Sequence, residues 1–361
     1  MKILIVKKKD SCWPFVEEQV RALCASDSVK CMVESGMLRD KREEIKDNRD
    51  GLEVEWHLIE GRGMMGYMRD VMNLLRDIRK VNPDVIHAHY GMSGYYACLV
   101  TRLMFWRKRV PIVVTYHGSD INQPKVRKIS QRATRMADYN IFVSPKLREL
   151  VEHGENSQVL PCGLNMEDWE PIDKKTAREK MGLSAEKRYV LFSSDFQTEV
   201  KNPELAKQAV ALFNDEMSRD KSLNEPLALN DIQLIELKGY TREQVNALMH
   251  GVDVCLMTSF TEGSPQFIKE AMVCGCPIVT TRVGDAEYVI GEMEGCYFTD
   301  YTVENCAKQL ENALVFAAKH ERTNGRERIM EIGYDNREIA RKIWEIYEQL
   351  TDENYRENKR L

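Results

Sequence analysis

Short apolar runs alternate with helical stretches along the chain, in two series, and this restricts the fold to parallel sheets with helices on both faces. The first series places strands at Lys2–Val6, Val29–Val33, Leu52–Ile59, Asp84–His87, Ile112–Tyr116, Tyr139–Val143 and Gln158–Pro161. Helical patterns fall between them, as at Met65–Val81, Met92–Phe105 and Pro145–His153. The second series begins near Tyr189, with strands at Tyr189–Ser193, Ile232–Leu237, Val254–Thr258, Pro277–Thr281 and Cys296–Phe298 and one helix at Pro203–Met217. Polar stretches at Asp40–Gly51 and Ser218–Glu225 read as loops. At 361 residues the chain suits two domains of roughly 170 residues each. From Asn336 onward Ile339, Ile343, Ile346, Tyr347 and Leu350 recur at helical spacing.

Residues 256–284 carry the most chemistry. Glu262 and Glu270 stand eight positions apart. Glu262 follows an apolar strand and precedes a Gly-Ser-Pro step, so it sits in a loop at a helix entrance, with Glu270 about two turns inside that helix. Free backbone N–H groups at the positive helix end suit a diphosphate or sugar hydroxyls. A carboxylate two turns along suits the diol of a ribose.

This segment, with Glu262-Gly-Ser-Pro265, the Lys-Glu-Ala-Met run and Val283-Gly-Asp285, resembles the E-x7-E signature of retaining glycosyltransferases of family 4, which have the GT-B fold. The resemblance runs nearly end to end. Phe15–Leu23 resembles the first helix of many members, and Asp84-Val-Ile-His-Ala-His89 a buried strand ending in histidines. Val113–Asp120 resembles the strand and loop on the catalytic side, Pro161-Cys-Gly-Leu-Asn165 the step joining the domains, and Phe192–Asn202 the loop that grips the diphosphate. The fold so implied has two Rossmann-like domains facing each other across a cleft: an acceptor-binding domain over residues 1–165, a donor domain over 166–338 and a final helix, 339–361, packing back on the first. Two departures concern the phosphate contacts. Asp10-Ser-Cys-Trp-Pro14 stands where many members have a glycine pair, and no arginine precedes Lys201 in its loop.

The resemblance also assigns site residues. His117, at a strand end, faces the transferred sugar; Lys201 meets the diphosphate as a point charge; Glu262 completes the catalytic set. Glu270, Gly263, Ser264, Pro265, Gly239, Tyr240 and Ser194 bind the donor. Tyr240 suits either stacking on the base or packing, and Thr241 suits a helix N-cap. Asp120 and Trp13 lie on the acceptor side, Asp120 suiting either acceptor contact or a cap. His87 and His89 point to one face of their strand, where one of them satisfies a buried hydrogen bond, and both stay outside the catalytic set.

No D-x-D pair is present, and the histidines and cysteines lack ligand spacing, so no metal or other cofactor is expected. GT-B enzymes stabilise the leaving diphosphate with basic side chains and helix dipoles. The implied activity is metal-independent transfer of a sugar, with retention, from a nucleotide-diphosphate donor to a glycan or a polyprenyl-diphosphate-linked acceptor, in bacterial surface polysaccharide biosynthesis. The alternatives are a GT-B nucleotide-sugar epimerase and a degenerate, non-catalytic sugar-nucleotide binding protein. An NAD-dependent oxidoreductase is disfavoured, because no G-x-G-x-x-G follows the first strand.

Charge refines the partners. Residues 1–165 hold 27 Lys+Arg against 21 Asp+Glu, and the remainder 25 against 36. In the basic half, Arg107-Lys-Arg109 lies beside Leu103-Met-Phe-Trp106, and further basic residues run from Lys125 to Arg135. That pattern suits either weak contact with an anionic membrane or a solvated helix face. Nucleic acid is excluded by the acidic whole and the lack of a recognition motif. Ten scattered cysteines, no signal peptide and no membrane-spanning run imply free buried thiols in a cytoplasmic protein, with peripheral contact on the inner face of the membrane.

Overall fold

The computed structural model describes the chain apart from residues 10–13, 26–29, 34–50, 61–62, 105–107, 220–231, 321 and 353–361. Trp13 and the segment Phe105-Trp-Arg107 therefore lie outside the described residues, as do the body of the expected loop before Gly51 and all but the start of the one at Ser218. Two compact units emerge. One is Met1–Gly163 with Asn336–Leu361, and the other is Leu164–Asp335.

In the first unit the elements run β1 (Lys2–Lys8), α1 (Pro14–Ala25), β2 (Lys30–Val33), β3 (Gly51–Ile59), α2 (Gly63–Val81), β4 (Val85–His89), α3 (Gly91–Arg102), β5 (Ile112–Tyr116), α4 (Ser119–Asn122), α5 (Pro124–Met136), β6 (Tyr139–Phe142), α6 (Pro145–Glu149) and β7 (Ser157–Val159). In the second they run α7 (Lys174–Met181), β8 (Arg188–Phe192), α8 (Pro203–Arg219), β9 (Ile232–Glu236), α9 (Arg242–Gly251), β10 (Val254–Met257), α10 (Gln266–Val273), β11 (Ile278–Thr281), α11 (Ala286–Ile290), β12 (Cys296–Thr299), α12 (Val303–His320) and α13 (Gly325–Glu331). The closing helix, α14 (Asn336–Thr351), belongs to the first unit.

Both sheets are parallel. Their orders are β2-β3-β1-β4-β5-β6-β7 and β12-β11-β10-β8-β9. The central strands β4, β5, β10 and β11 are buried along their whole length, as strands covered by helices on both faces must be. In the first unit, alternation splits the side chains between two cores. Leu4, Val6, Ile86 and Val114 pack with residues of α2 and α3. Ile3, Ile5, Val85 and Val113 pack with Val20 and Leu23 of α1 and with Ile339, Ile343, Ile346 and Leu350 of α14. The last helix is thus anchored by its apolar stripe. In the second unit Leu191, Cys255 and Ile278 share a core with α10, and Val190, Phe192 and Leu256 share one with α8 and α12.

Several expected boundaries move. Strand β1 runs on through Lys7 and Lys8, whose backbones pair with Leu58 and Ile59. The Lys7 stem is buried, with its ammonium 5.1 Å from the Trp56 ring centre, so a charged residue extends an apolar strand by packing its methylenes. Helix α3 ends at Arg102, and Leu103 and Met104 form a turn rather than more helix. Helix α6 ends at Glu149, four residues early, while α8 runs through Ser218 and Arg219 into the expected loop. Cys98, Cys162, Cys255, Cys274, Cys276, Cys296 and Cys306 are free thiols as expected, but Cys24 is disulfide-bonded. Among the described residues no helix is long and apolar enough to cross a membrane.

Candidate functional site

Ligands of open α/β sheets bind beyond the C-terminal strand ends, where the strand order reverses. In the second unit the chain leaves β8 for β9 on one side and then crosses to β10 on the other, so the reversal lies between β8 and β10. In the first unit it lies between β1 and β4. These two edges gather nearly all the described residues singled out in the sequence.

At the β8–β10 edge the Lys201 ammonium meets Glu262 Oε1 at 2.5 Å, although the two are 61 residues apart. The Lys201 loop is tied to the extension of β10. Thr258 Oγ1 donates to the carbonyls of Lys201 and Asn202, and Phe260 N donates to Val200 O. Asn202 takes a left-handed conformation, φ 53°, which turns the chain into α8. Ser194 lies half-buried in this loop, and its carbonyl accepts from Leu237 N. Among the described residues, the buried hydroxyls of the neighbouring Ser193 and Ser259 find no hydrogen-bond partner.

Gly263, Ser264 and Pro265 follow Glu262 and lead into α10, whose N-terminus has no side-chain cap. Ser264 Oγ donates to Asp285 Oδ2 at 2.7 Å. Gly284, at φ +57°, backs onto the loop so closely that a Cβ there would lie 2.7 Å from Gly263 O. The Val-Gly-Asp step after β11 is therefore the floor under the Gly-Ser-Pro step. On α10, Lys269 is fully buried, with its ammonium on Gln266 and over the Tyr334 ring, so the lysine of the Lys-Glu-Ala-Met run packs.

Glu270 lies along the helix, its Oε1 3.2 Å from Arg242 Nη1. Arg242 in turn stacks over the Trp169 ring at 4.6 Å and comes within 4.0 Å of Asp168. Gly239, at φ +77° with open space around it, and the exposed Tyr240 precede α9. Thr241 caps α9 in a capping box with Gln244. Arg242 and Asp285 entered the sequence reading only as the ends of the Lys238–Arg242 stretch, whose family analogue contacts the base, and of the Val283–Asp285 stretch, and Trp169 did not enter it. The signals were a basic residue closing the Lys238–Arg242 turn and an acid after Gly284. Among the described residues no group of three or more His, Cys, Asp or Glu is placed to hold a metal ion.

At the other edge, in the first unit, three histidines stack. The ring centres of His87 and His89 lie 4.5 Å apart, and those of His89 and His117 5.3 Å apart. His87 bonds Tyr347 Oη of α14 at 2.6 Å and Thr115 Oγ1 at 2.7 Å. His89 Nδ1 meets His117 Nε2 at 3.0 Å, and His117 Nδ1 faces Cys162 Sγ at 3.7 Å. Burial lowers the pKa of His117 to about 3, helped by His87, and burial alone lowers His87 to about 3. His117 is thus a neutral ring at physiological pH, able to donate one hydrogen bond and accept one.

Asp120 lies at the start of α4. It is buried and spends both oxygens on backbone N–H groups of Gly91, His117 and Gly118. Asp120 lies inside α4, whose N-cap is Gly118 with no side-chain cap, so it does not cap that helix. Burial nevertheless raises its pKa, with those N–H groups opposing the shift.

Residues 19–168 match the family described as Glycosyltransferase Family 4, and residues 186–315 match Glycosyl transferases group 1. Over 226 residues the chain is 27% identical to a Bacillus subtilis (strain 168) protein named as the teichuronic acid biosynthesis glycosyltransferase TuaC. That match covers 59% of this chain and 57% of the relative's own length. The fold is similar to that of sucrose-phosphate synthase from Thermosynechococcus elongatus, at TM-score 0.72 and 18% identity, covering 97% of this chain and 99% of that one. It is also similar to Anabaena HepE solved in complex with UDP and glucose, at TM-score 0.66 and 18% identity, covering 96% and 98%.

Proposed function

From the premise that the chain belongs to the family 4 (group 1) glycosyltransferases and has their GT-B fold, we propose that it moves a sugar from a nucleotide-diphosphate donor to a hydroxyl acceptor, with retention and without metal. The observation that carries the reading is the Lys201–Glu262 ion pair at the β8–β10 reversal, with Glu270 two turns along α10. Glu270 receives the ribose hydroxyls. The uncapped N-terminus of α10 and the Lys201 ammonium receive the diphosphate. As the bond from the anomeric carbon to the phosphate oxygen breaks, Lys201 and the helix dipole stabilise the negative charge on the leaving group. The acceptor oxygen forms its bond on the same face of the sugar, and its proton passes to the departing phosphate. His117, at the end of β5 in the first unit, is a neutral hydrogen-bonding group. A role in surface polysaccharide synthesis is supported by the name of the TuaC relative.

The purified protein is expected to release free UDP or GDP together with a glycosylated product. It is expected to keep its turnover in excess EDTA, because the sequence has no D-x-D pair and, among the described residues, no group of three or more His, Cys, Asp or Glu is placed to hold a metal ion. Complete loss in EDTA with recovery on added Mn²⁺ would overturn metal independence. An epimerised sugar nucleotide without free nucleotide would overturn transfer itself.

The acceptor side of the proposal includes weak contact with an anionic membrane. Lys125, Lys128 and Arg132 are exposed along α5, each contributing roughly 1 kcal/mol near such a surface. Arg127 belongs to a different task, since its guanidinium donates to the carbonyls of Ile121 and Asn122 in α4. Charge reversal at Lys125, Lys128 and Arg132 is therefore expected to abolish low-salt co-sedimentation with anionic vesicles and to leave nucleotide affinity unchanged. Equal sedimentation with neutral and anionic vesicles would identify α5 as a solvated face.

A further inference from the structure

The second unit exposes two large aromatic side chains beside the proposed donor site that no role above uses. Phe260 lies two residues before Glu262 and is 55% exposed. Tyr301, just beyond β12, is 49% exposed. Their rings stack at 5.4 Å between centres and 28° between planes. Neither is loosely hung. Tyr301 Oη donates to Ser259 O at 3.3 Å, and Phe260 N donates to Val200 O at 3.0 Å, one residue before Lys201. Asp300, next to Tyr301, is exposed and held in place by Thr302 N at 2.8 Å.

We propose that Phe260 and Tyr301 form a platform for the apolar face of a pyranose ring, a sugar subsite adjoining Lys201 and Glu262. The inference rests on the donor assignment above. Exposed aromatics fixed in one orientation gain most from a flat, partly apolar partner, and a pyranose presents a C–H face of that kind, with hydroxyls at its rim. Asp300 and Glu262 are the carboxylates positioned in sequence to take those hydroxyls. A nucleobase is the other flat partner, but the base loop, Gly239 and Tyr240, follows β9 at the opposite end of the sheet. From β9 to β12 is four strand spacings, about 19 Å, whereas β10 and β12 are only about 10 Å apart. The pyranose belongs either to the donor's own hexose or to a glycan acceptor, and the two sources separate experimentally.

The test compares wild type with Phe260→Ala and Tyr301→Ala, and with Phe260→Trp as the variant that keeps a platform. Calorimetry measures the nucleoside diphosphate bound best among UDP, GDP and ADP, and then its hexose conjugate. Saturation-transfer NMR on the protein with and without nucleotide measures methyl glucoside, methyl mannoside, N-acetylglucosamine and maltose. Both alanine variants are expected to keep nucleoside diphosphate affinity within twofold and to lose about five- to tenfold in one sugar measurement, with Phe260→Trp retaining it. Loss confined to the hexose conjugate places the donor sugar on the platform. Loss confined to a free saccharide places the acceptor there. Unchanged sugar affinity in both alanine variants overturns the platform, and so does an equal loss for the bare nucleoside diphosphate. A wild type that binds no nucleotide overturns the donor assignment instead, and the free-saccharide measurement still decides the platform.

Discussion

Replacing Lys201 with alanine is expected to lower kcat by two to three orders of magnitude, the range seen when a single preorganised stabiliser of developing negative charge is removed. The effect should be selective for the diphosphate. Affinity for UDP, or GDP if guanosine is the base, should fall much more than affinity for the matching monophosphate, because in the proposed site the ammonium beside Glu262 receives the second phosphate. Equal losses for mono- and diphosphate would show that Lys201 does not touch the second phosphate. Glu262→Gln supplies the control, since it leaves the ammonium in place and removes only its carboxylate partner.

Replacing Glu270 with alanine is expected to weaken nucleotide binding by about 1.5–3 kcal/mol, roughly ten- to more than hundredfold in Kd, as for a hydrogen bond to a charged group. The loss should appear with free UDP or GDP, because the proposed partner of Glu270 is the ribose and not the sugar. Calorimetry on the folded variant measures it, and unchanged affinity would remove Glu270 from the site. Arg242 sharpens the expectation. Stacked on Trp169 and bonded to Glu270, it holds the carboxylate in one orientation, so 2′-deoxy nucleotides should bind more weakly than ribonucleotides in wild type and equally in Glu270→Ala.

The sequence resolves these assignments unevenly. Lys201 and Glu262 were both singled out for the catalytic set, yet their contact was not legible, because it joins loops after two strands far apart in the chain. Asp120 read equally well as an acceptor group or a cap. Neither reading contained its hydrogen bond from Gly91 N, at the start of α3 and 29 residues away. His87 and His89 read as neighbours on one face of β4, as they are. Their stack with His117 needed β5 placed beside β4, and the anchor on Tyr347 needed the last helix, 260 residues from His87.

What the sequence determined by itself was local. Apolar runs of strand length, helical periodicity, Pro at helix starts and the Gly-Ser-Pro entrance to α10 depend on residues a few positions apart, and they placed most elements within a few residues of where they form. Strand order and register were decided only by the tertiary structure. They bring Gly284 under Gly263, Arg242 onto Glu270 and Tyr301 against Phe260. Each of these contacts joins segments that no local pattern connects, because a parallel sheet sets its neighbours by long crossovers packed on a shared core, and partners across such crossovers exist only once that core has formed.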